Sequence, residues 1–578
     1  MVEDHQTHTV PEDSDRLRAL AVFMGFADAD AFAAALLARL RTVEDHYAGL
    51  FEEEPSLGGP GTLVFTGGED HPGTLETLKG LGFREPSAAS GIVRKWHTGR
   101  YRATRSTRAR ELLTEVMPAL LEAFSKTLNP DAALIGFDRF LAGLPAGVQL
   151  FSLFYSNPAL LTLVAEIMGS APRLAETLGR QPILFDAVLT ADFFEEPPDA
   201  AALAEEFDAA LGQARDLQDV IAILCRRVND RFFQIGVHVL RGHLHPEEAG
   251  RPLSDLADAA MRRLLAAVED EFAERHGRFP GGGMAVVALG KAGGRELTIG
   301  SDLDLLFVYD AKGADHSDGA RPLVPIQYFT RLAQRFIGAL TAPTGEGSMY
   351  EVDMRLRPSG NAGPIASSLE SLARYHRDNA WSWEHMALTR ARVVIAPDGL
   401  RAALEETFRG ALTRERDPDR LVTDVADMRA RMARERGSTN IWDVKNLRGG
   451  LVDIEFVAQY LQLRHGHEHP EVLAANTTDA LVRLRDAGLL GEEDTAALLD
   501  AMHLWRNVQG VLRLSFGEGF DNNALSEGSR ALLARACGAA DYDALRTTID
   551  DTARRAHAVF HALIEGPAAA SPPPEKAG

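Results

Sequence analysis

Asp302 and Asp304 stand two residues apart in Ser301-Asp-Leu-Asp304, where an apolar run from Leu303 to Tyr309 begins. The run reads as a strand. Side chains two apart on a strand share a face, so both carboxylates point one way while Leu303 and Leu305 point the other. Like charges side by side weaken a sheet. A divalent cation removes that cost, and Mg²⁺ favours one or two carboxylates together with substrate phosphates. Two such ions about 3.5 to 4 Å apart clamp the attacking and leaving oxygens of a phosphoryl displacement. Upstream, Met284 to Leu289 reads as a buried strand, and Gly290-Lys291 opens a turn containing Gly293, Gly294 and Gly300. The N–H groups of such a turn, together with the Lys291 ammonium, suit a triphosphate. By itself Ser-Asp-Leu-Asp would serve equally as a turn leading into a strand; the Gly-Lys turn before it favours chemistry.

A two-metal site wants a third carboxylate. Tyr350-Glu-Val-Asp-Met-Arg-Leu-Arg357 alternates strictly, with Val352, Met354 and Leu356 on one face and Glu351, Asp353, Arg355 and Arg357 on the other. As a third strand it would bring Asp353 to the metals and both arginines to the phosphates, whose oxygens the planar guanidinium meets with two donors. As a plain amphipathic strand it would be a solvated charged face. The loop Arg357-Pro-Ser-Gly-Asn-Ala-Gly-Pro364 offers N–H groups for phosphate or adenosine. The candidate catalytic and metal-binding set is therefore Asp302, Asp304 and Asp353. The candidate nucleotide-binding set is Gly290, Lys291, Ser301, Arg355, Arg357 and Ser359.

Four segments carry a resemblance: G-K-x-G-G-x-E-L (Gly290 to Leu297), S-D-L-D-L-x-F (Ser301 to Phe307), Y-E-V-D-x-R-L-R-P-S-G-N-A-G (Tyr350 to Gly363) and W-x-W-E-H-x-A-L-x-R-A-R-V-V (Trp381 to Val394). In this order they resemble the glutamine synthetase adenylyltransferases of the nucleotidyltransferase superfamily. The resemblance implies an α+β fold, mostly helical, with one small mixed-sheet nucleotidyltransferase core of the polymerase-β type flanked by helical domains. It implies transfer of AMP from ATP to a tyrosine of glutamine synthetase, with release of pyrophosphate and two Mg²⁺ ions as cofactor. The PII signalling protein as partner and glutamine as effector are implied in the same way. Asp353 would also accept the proton of the tyrosine hydroxyl, whose pKa of about 10 needs help at neutral pH.

Members of this family carry a domain that removes AMP and one that adds it. Arg-Pro-Ser-Gly and Trp-Glu-His385 resemble the adding domain, and this sequence has one S-D-L-D-L, as expected of a C-terminal portion or of separate halves. Phosphorolytic removal of AMP is the alternative within the family. A regulatory module with a degenerate site is the alternative outside it, disfavoured by the retained carboxylates, Lys291 and arginines.

With 578 residues the chain should divide into about three to five units. Its formal charge of −22 argues against a binder of nucleic-acid backbones, and so against the polynucleotide-extending relatives. Cys225 and Cys537 are too few for a disulfide framework; reduced cytoplasmic thiols are expected. No apolar run of about 18 residues suggests a membrane span, and no signal peptide is apparent. The first thirteen residues are polar and expected to be disordered.

The expected divisions are an N-terminal helical linker segment (1–108), a helical lead-in (109–280), the nucleotidyltransferase core (281–397), a C-terminal helical regulatory domain resembling PII uridylyltransferases (416–565) and a disordered tail (566–578). Within the first, Leu17, Leu20 and Phe23, then Phe32, Leu36, Leu37 and Leu40, form helical stripes, and 53–75 reads as a loop. Lys95 to Ser106 is a basic exception, read as a solvated edge. Val148 to Leu161 and Leu217 to Val239 have helical apolar faces; residues 191–200 read as a loop. Gln327 to Ala342 is a helix, and Ser367-x-x-Glu370 a capping box for the next. Trp381, Trp383, Glu384, His385, Arg390 and Arg392 follow; Trp is expected in the core, while Glu384 and His385 could position a neighbour or contact substrate. Asp453 reads as an N-cap, and Lys445 could reach the nucleotide from the adjoining domain. His465-Gly-His-Glu-His469 reads as a helix-ending loop rather than a metal tract.

Overall fold

The computed structural model describes residues 10, 13–52, 62–65, 69–127, 129–180, 184, 188, 191–345, 347–516 and 527–571. It divides into two compact units, Met1–Gly169 and Ser170–Gly578. The boundary expected at 108/109 lies inside the first unit, because the helix Thr107–Ser125 packs on Pro130–Gly143 and Val148–Ser156.

The first unit is helical. Trp96, from the basic stretch, is fully buried and donates from Nε1 to Asp138 Oδ1 at 2.7 Å; the Tyr101 hydroxyl donates to the same oxygen at 2.9 Å. The two aromatic residues thus anchor this edge inward and leave its arginines outside. The helix expected over Val148 to Leu161 breaks into Val148–Ser156 and Pro158–Ser170, bent by 114°. Pro158 lacks the N–H a continuous helix needs and starts the second segment instead. The N-terminal stripes form helices Ser14–Phe23 and Ala29–Glu52, but Phe23, Leu37 and Leu40 lie more than half exposed. The expected loop 53–75 ends early, because Pro72 opens the helix Pro72–Gly80; residues 53–61 and 66–68, like the first nine, lie outside the described residues.

The second unit is built on five strands: β1 (Gly283–Ala288), β2 (Leu303–Asp310), β3 (Val352–Asp353), β4 (Ala366–Ser368) and β5 (Arg392–Ile395). β1 lies between β2 and β5, antiparallel to both. β3 and β4 pair in succession along the other edge of β2, both parallel to it. The fold is thus mostly helical with one small mixed sheet. Strand period puts Phe307 and Tyr309 on one face, against Phe336 and Phe329 of the helix Pro325–Leu340. Leu306 and Val308 face the other way, into a core shared with Leu372, Leu404, Leu421, Ile454 and Trp505. One apolar core therefore joins the sheet to the helices beyond Pro418. Asp304 belongs to this second face, at the end of β2 where the apolar cover stops.

The third strand is shorter than its sequence pattern. Only Val352 and Asp353 pair with β2, and the chain turns away at Met354 to Arg357 before a short 3-10 turn, Gly360–Ala362. The capping residue of the helix Leu369–Asp378 is Ser368, whose Oγ accepts from Ser371 N, while Ser367 is buried in β4. Asp453 is not an N-cap either. It sits in the first turn of Leu451–His465, fully buried against Arg429, and accepts from Gly449 N at 2.6 Å. Of the tail expected to be disordered, 566–578, Gly566–Ala570 is a helix and 572–578 lie outside the described residues. No single helix among the described residues is long and apolar enough to cross a membrane.

Candidate active site

The site begins where β1 ends. Leu289 is extended, and Gly290 turns at φ +53° into one helical turn, Gly290–Gly293. A side chain could not stand at Gly290: a Cβ there would lie 2.4 Å from Asp304 Oδ2. The backbone therefore touches the carboxylate directly. Gly293 is equally constrained, its missing Cβ falling 1.8 Å from the Arg390 carbonyl.

Register brings the acids together. Leu303 pairs with Val352 and Asp304 with Asp353, so the two carboxylates are neighbours on one face of parallel strands. Asp302 lies just outside the strand, exposed. Burial, then the negative charges of Asp353 and Asp302, push the Asp304 carboxyl up to about 6, although Arg390 and Lys445 pull the other way. Asp353 behaves differently. Arg355 donates to it from Nε at 2.8 Å and Nη2 at 2.5 Å, and from its own backbone N at 2.8 Å. Those bonds hold Asp353 below the usual carboxylate range, so Asp304 is the more basic of the pair. Among the described residues no three carboxylate, His or Cys groups close into a metal shell. The donor set nonetheless suits Mg²⁺: Asp304 is a partly buried carboxylate among like charges, between the exposed Asp302 and the half-buried Asp353.

Cations gather at the turn that follows β1. Lys291 Nζ donates to Gln509 Oε1 at 2.7 Å and to Thr298 Oγ1 at 3.4 Å. Burial, and then Arg513, Lys445 and Arg390, lower its pKa to about 7 against the opposing pull of Glu455. Thr298 also accepts from Arg513 Nη1 at 3.3 Å, while Ser301 Oγ accepts from the Thr298 backbone N at 3.0 Å. Behind these groups runs a buried ion network. Arg390, 6% exposed, bridges Glu296 and, at 2.9 Å, Glu455. Glu296 also meets Arg506 at 2.7 Å and accepts from Thr477 N at 2.8 Å.

The remaining expected residues are placed further back. Arg357 does not continue the charged face of β3; Nη1 donates to the Met354 carbonyl at 2.7 Å and Nε to Gly363 at 3.3 Å, which braces the loop. Ser359 adopts φ +61° and its N–H donates to the Tyr375 hydroxyl at 3.2 Å. That hydroxyl donates to Glu384 Oε1 at 2.7 Å, and Glu384 Oε2 accepts from Trp381 N at 2.9 Å. Glu384 therefore positions the Ser359 loop through Tyr375. His385 is buried 3.1 Å from the His376 carbonyl, and burial lowers its pKa to about 4. Trp381, expected in the core, is 67% exposed. Lys445 is exposed on its loop, and its charge is felt at both Asp304 and Lys291.

Sequence reasoning gave no role to Glu296, Glu455, Arg506, Gln509 or Arg513. Their local sequence carries no distinguishing signal: Glu296 follows Arg295, and Glu455 lies two residues after Asp453.

Known proteins resemble this chain along most of its length. Residues 161–407 match the family model described as glutamate-ammonia ligase adenylyltransferase. That stretch is similar to the domain this model describes. Residues 421–564 match the model of the GlnD PII-uridylyltransferase. The chain is 45% identical over 570 residues to a bifunctional glutamine synthetase adenylyltransferase/adenylyl-removing enzyme of Mesorhizobium japonicum, covering 98% of this chain and 57% of the relative. It is 44% identical to the enzyme of that name from Rhizobium meliloti, with 99% and 58% covered, and 42% identical to that from Agrobacterium fabrum, with 98% and 58%. The chain thus spans somewhat over half the length of these curated relatives.

Proposed function

We propose that this chain transfers AMP from ATP to a tyrosine hydroxyl of glutamine synthetase, with release of pyrophosphate. The observation that carries the reading is the Asp304–Asp353 pair, with the Gly290 turn against Asp304 and the charges of Arg390 and Lys445 acting on it. Acids that suit a divalent metal, within the field of bases that suit phosphates, are what a metal-bound polyphosphate requires.

In this reading the sheet is a nucleotidyltransferase core of the polymerase-β type. Asp302, Asp304 and Asp353 would hold two Mg²⁺ ions, which when bound supply Lewis acidity toward the phosphate and attacking oxygens. Lys291 and Lys445 balance the charge of the phosphates. Arg355, 66% exposed, is placed to exchange Asp353 for a phosphate oxygen. The Gly290 turn carries its N–H groups to the same place, and the Ser359 loop, fixed by Tyr375 and Glu384, closes the nucleotide side. The names of the relatives support glutamine synthetase as acceptor, and the match over 421–564 supports a regulatory helical segment answering to PII; glutamine as effector and a cytoplasmic setting belong to the same reading. Because those relatives also bear the name of an adenylyl-removing enzyme, phosphorolysis of the same tyrosyl-AMP bond is the second reading.

The test is incubation with purified glutamine synthetase, Mg²⁺ and α-labelled ATP, with the Asp302→Asn/Asp304→Asn variant beside it. Label on a synthetase tyrosine that the variant does not produce is expected. Phosphate-dependent release of ADP from modified synthetase, without labelling, would reverse the direction assigned here.

A further inference from the structure

The backbone that follows the turn Gly290–Gly293 meets a segment far along the chain. A Cβ on Gly294 would lie 2.9 Å from the Ala475 carbonyl, so glycine lets the two backbones approach. Asn476, the next residue, uses both halves of its amide. Its Oδ1 accepts from Asp479 N at 3.1 Å and caps the helix Thr477–Asp486, while its Nδ2 donates to the Gly294 carbonyl at 2.9 Å. Thr477 then donates from its backbone N to Glu296 Oε1 at 2.8 Å. One helix start thus holds Gly294 and Glu296 together.

Short backbone bonds carry that hold to the turn. Gly294 N donates to the Gly290 carbonyl at 3.1 Å, and Glu296 N to the Lys291 carbonyl at 2.8 Å. Capping accounts for only half of the Asn476 side chain. An N-cap needs a side-chain oxygen, and Ser or Asp serves about as well as Asn. The amide N–H that reaches Gly294 satisfies no group of the helix; it acts on the turn.

We propose that Asn476 is a positioning residue for Gly290 and Lys291: its amide N–H fixes the Gly294 carbonyl, and with it the turn that meets the nucleotide. The proposal rests on the nucleotide reading above and deepens it, because the donor comes from outside the sheet, within the helical stretch 421–564. Binding groups hold a ligand well only while they keep their places, so the loss of this tether weakens Mg·ATP.

The test compares Asn476→Ser, which keeps a capping oxygen but is too short to reach Gly294, with Asn476→Ala, which loses both bonds. Calorimetry follows Mg·ATP binding to the full chain, urea its unfolding, and hydrogen exchange the Gly294 and Glu296 amides. Asn476→Ser is expected to weaken Mg·ATP about tenfold, as much as Asn476→Ala does, and to speed exchange at both amides. Its unfolding midpoint should lie nearer the wild type than that of Asn476→Ala. A residue that only caps the helix gives a different pattern: Asn476→Ser then binds Mg·ATP like the wild type and leaves both amides protected, and this result overturns the inference. Weaker binding without faster exchange, or faster exchange without weaker binding, overturns it as well. If Asn476→Ser is as unstable as Asn476→Ala, Asn476→Asp, another capping residue without the donor, decides by the same two readouts. A wild-type chain that does not bind Mg·ATP overturns the nucleotide reading itself, and this inference with it.

Discussion

Gly290→Ala separates the site from the scaffold. Gly290 has φ +53°, and a Cβ there would stand 2.4 Å from Asp304 Oδ2, whereas real Cβ atoms essentially never approach closer than 3.0 Å. The carboxylate or the turn must therefore yield by about 0.6 Å. The left-handed backbone alone costs an L-residue about 1–2 kcal/mol. Displacing a reacting group by a large fraction of an ångström costs roughly ten- to a hundredfold in rate, because the reacting atoms must stay within a few tenths of an ångström of productive geometry. Gly313 is the natural control: its φ is +77°, and nothing lies within 4 Å of where its Cβ would be. Gly313→Ala should lose the same 1–2 kcal/mol of stability and keep its activity. The assay pairs urea unfolding with the rate of AMP transfer from α-labelled ATP. Equal transfer rates for the two variants would refute the argument that the Gly290 backbone sets the position of Asp304.

Arg390→Met leaves Glu296 and Glu455 without their shared guanidinium, and a loss of about 3–5 kcal/mol in urea unfolding is expected. Adding Glu296→Gln should recover part of it, and simple additivity of the two losses would argue against the bridge. Tyr375→Phe removes the hydroxyl between Glu384 and Ser359; we expect about 1–2 kcal/mol lower stability and faster hydrogen exchange at the Ser359 amide. Burial raises Glu269 to about 7, so the native state holds its proton more tightly than the unfolded chain does. Stability is then unaffected by Glu269 below about pH 4.5, falls as the pH rises toward 7, and stays reduced above it. Glu269→Gln should therefore stabilise the chain by about 1–3 kcal/mol at pH 8 and by nothing at pH 4. A gain that did not change with pH would sink that account.

Much of the sheet was legible because strand period is local. The runs Met284–Leu289 and Leu303–Tyr309 appear as β1 and β2 within a residue, and the two-residue repeat puts Asp304 on the face of Leu306 and Val308, while Asp302 falls just outside β2. Tyr350 to Arg357 carries the same repeat, yet only Val352 and Asp353 pair with β2. Alternation marks which residues could share a face; hydrogen bonding to a neighbour decides how far the strand runs. Arg355 illustrates the difference. Once the chain turns at Met354, its guanidinium folds back onto Asp353 instead of projecting beside it. His385 and Glu384, adjacent in the most distinctive motif, belong to the support of the Ser359 loop and the core behind it.

The sequence by itself determined the chain's family resemblance, its α+β character, the paired carboxylates and the glycine that lets the backbone meet them. Each of these is fixed by residue type and short-range spacing. Tertiary structure alone decided that Asp304 faces Asp353, that the long helix brings Gln509 to Lys291, and that Arg390 is buried between two acids. Those partners lie far apart along the chain, and their meeting depends on how one apolar core packs the sheet against the helices that follow it, which no local period records.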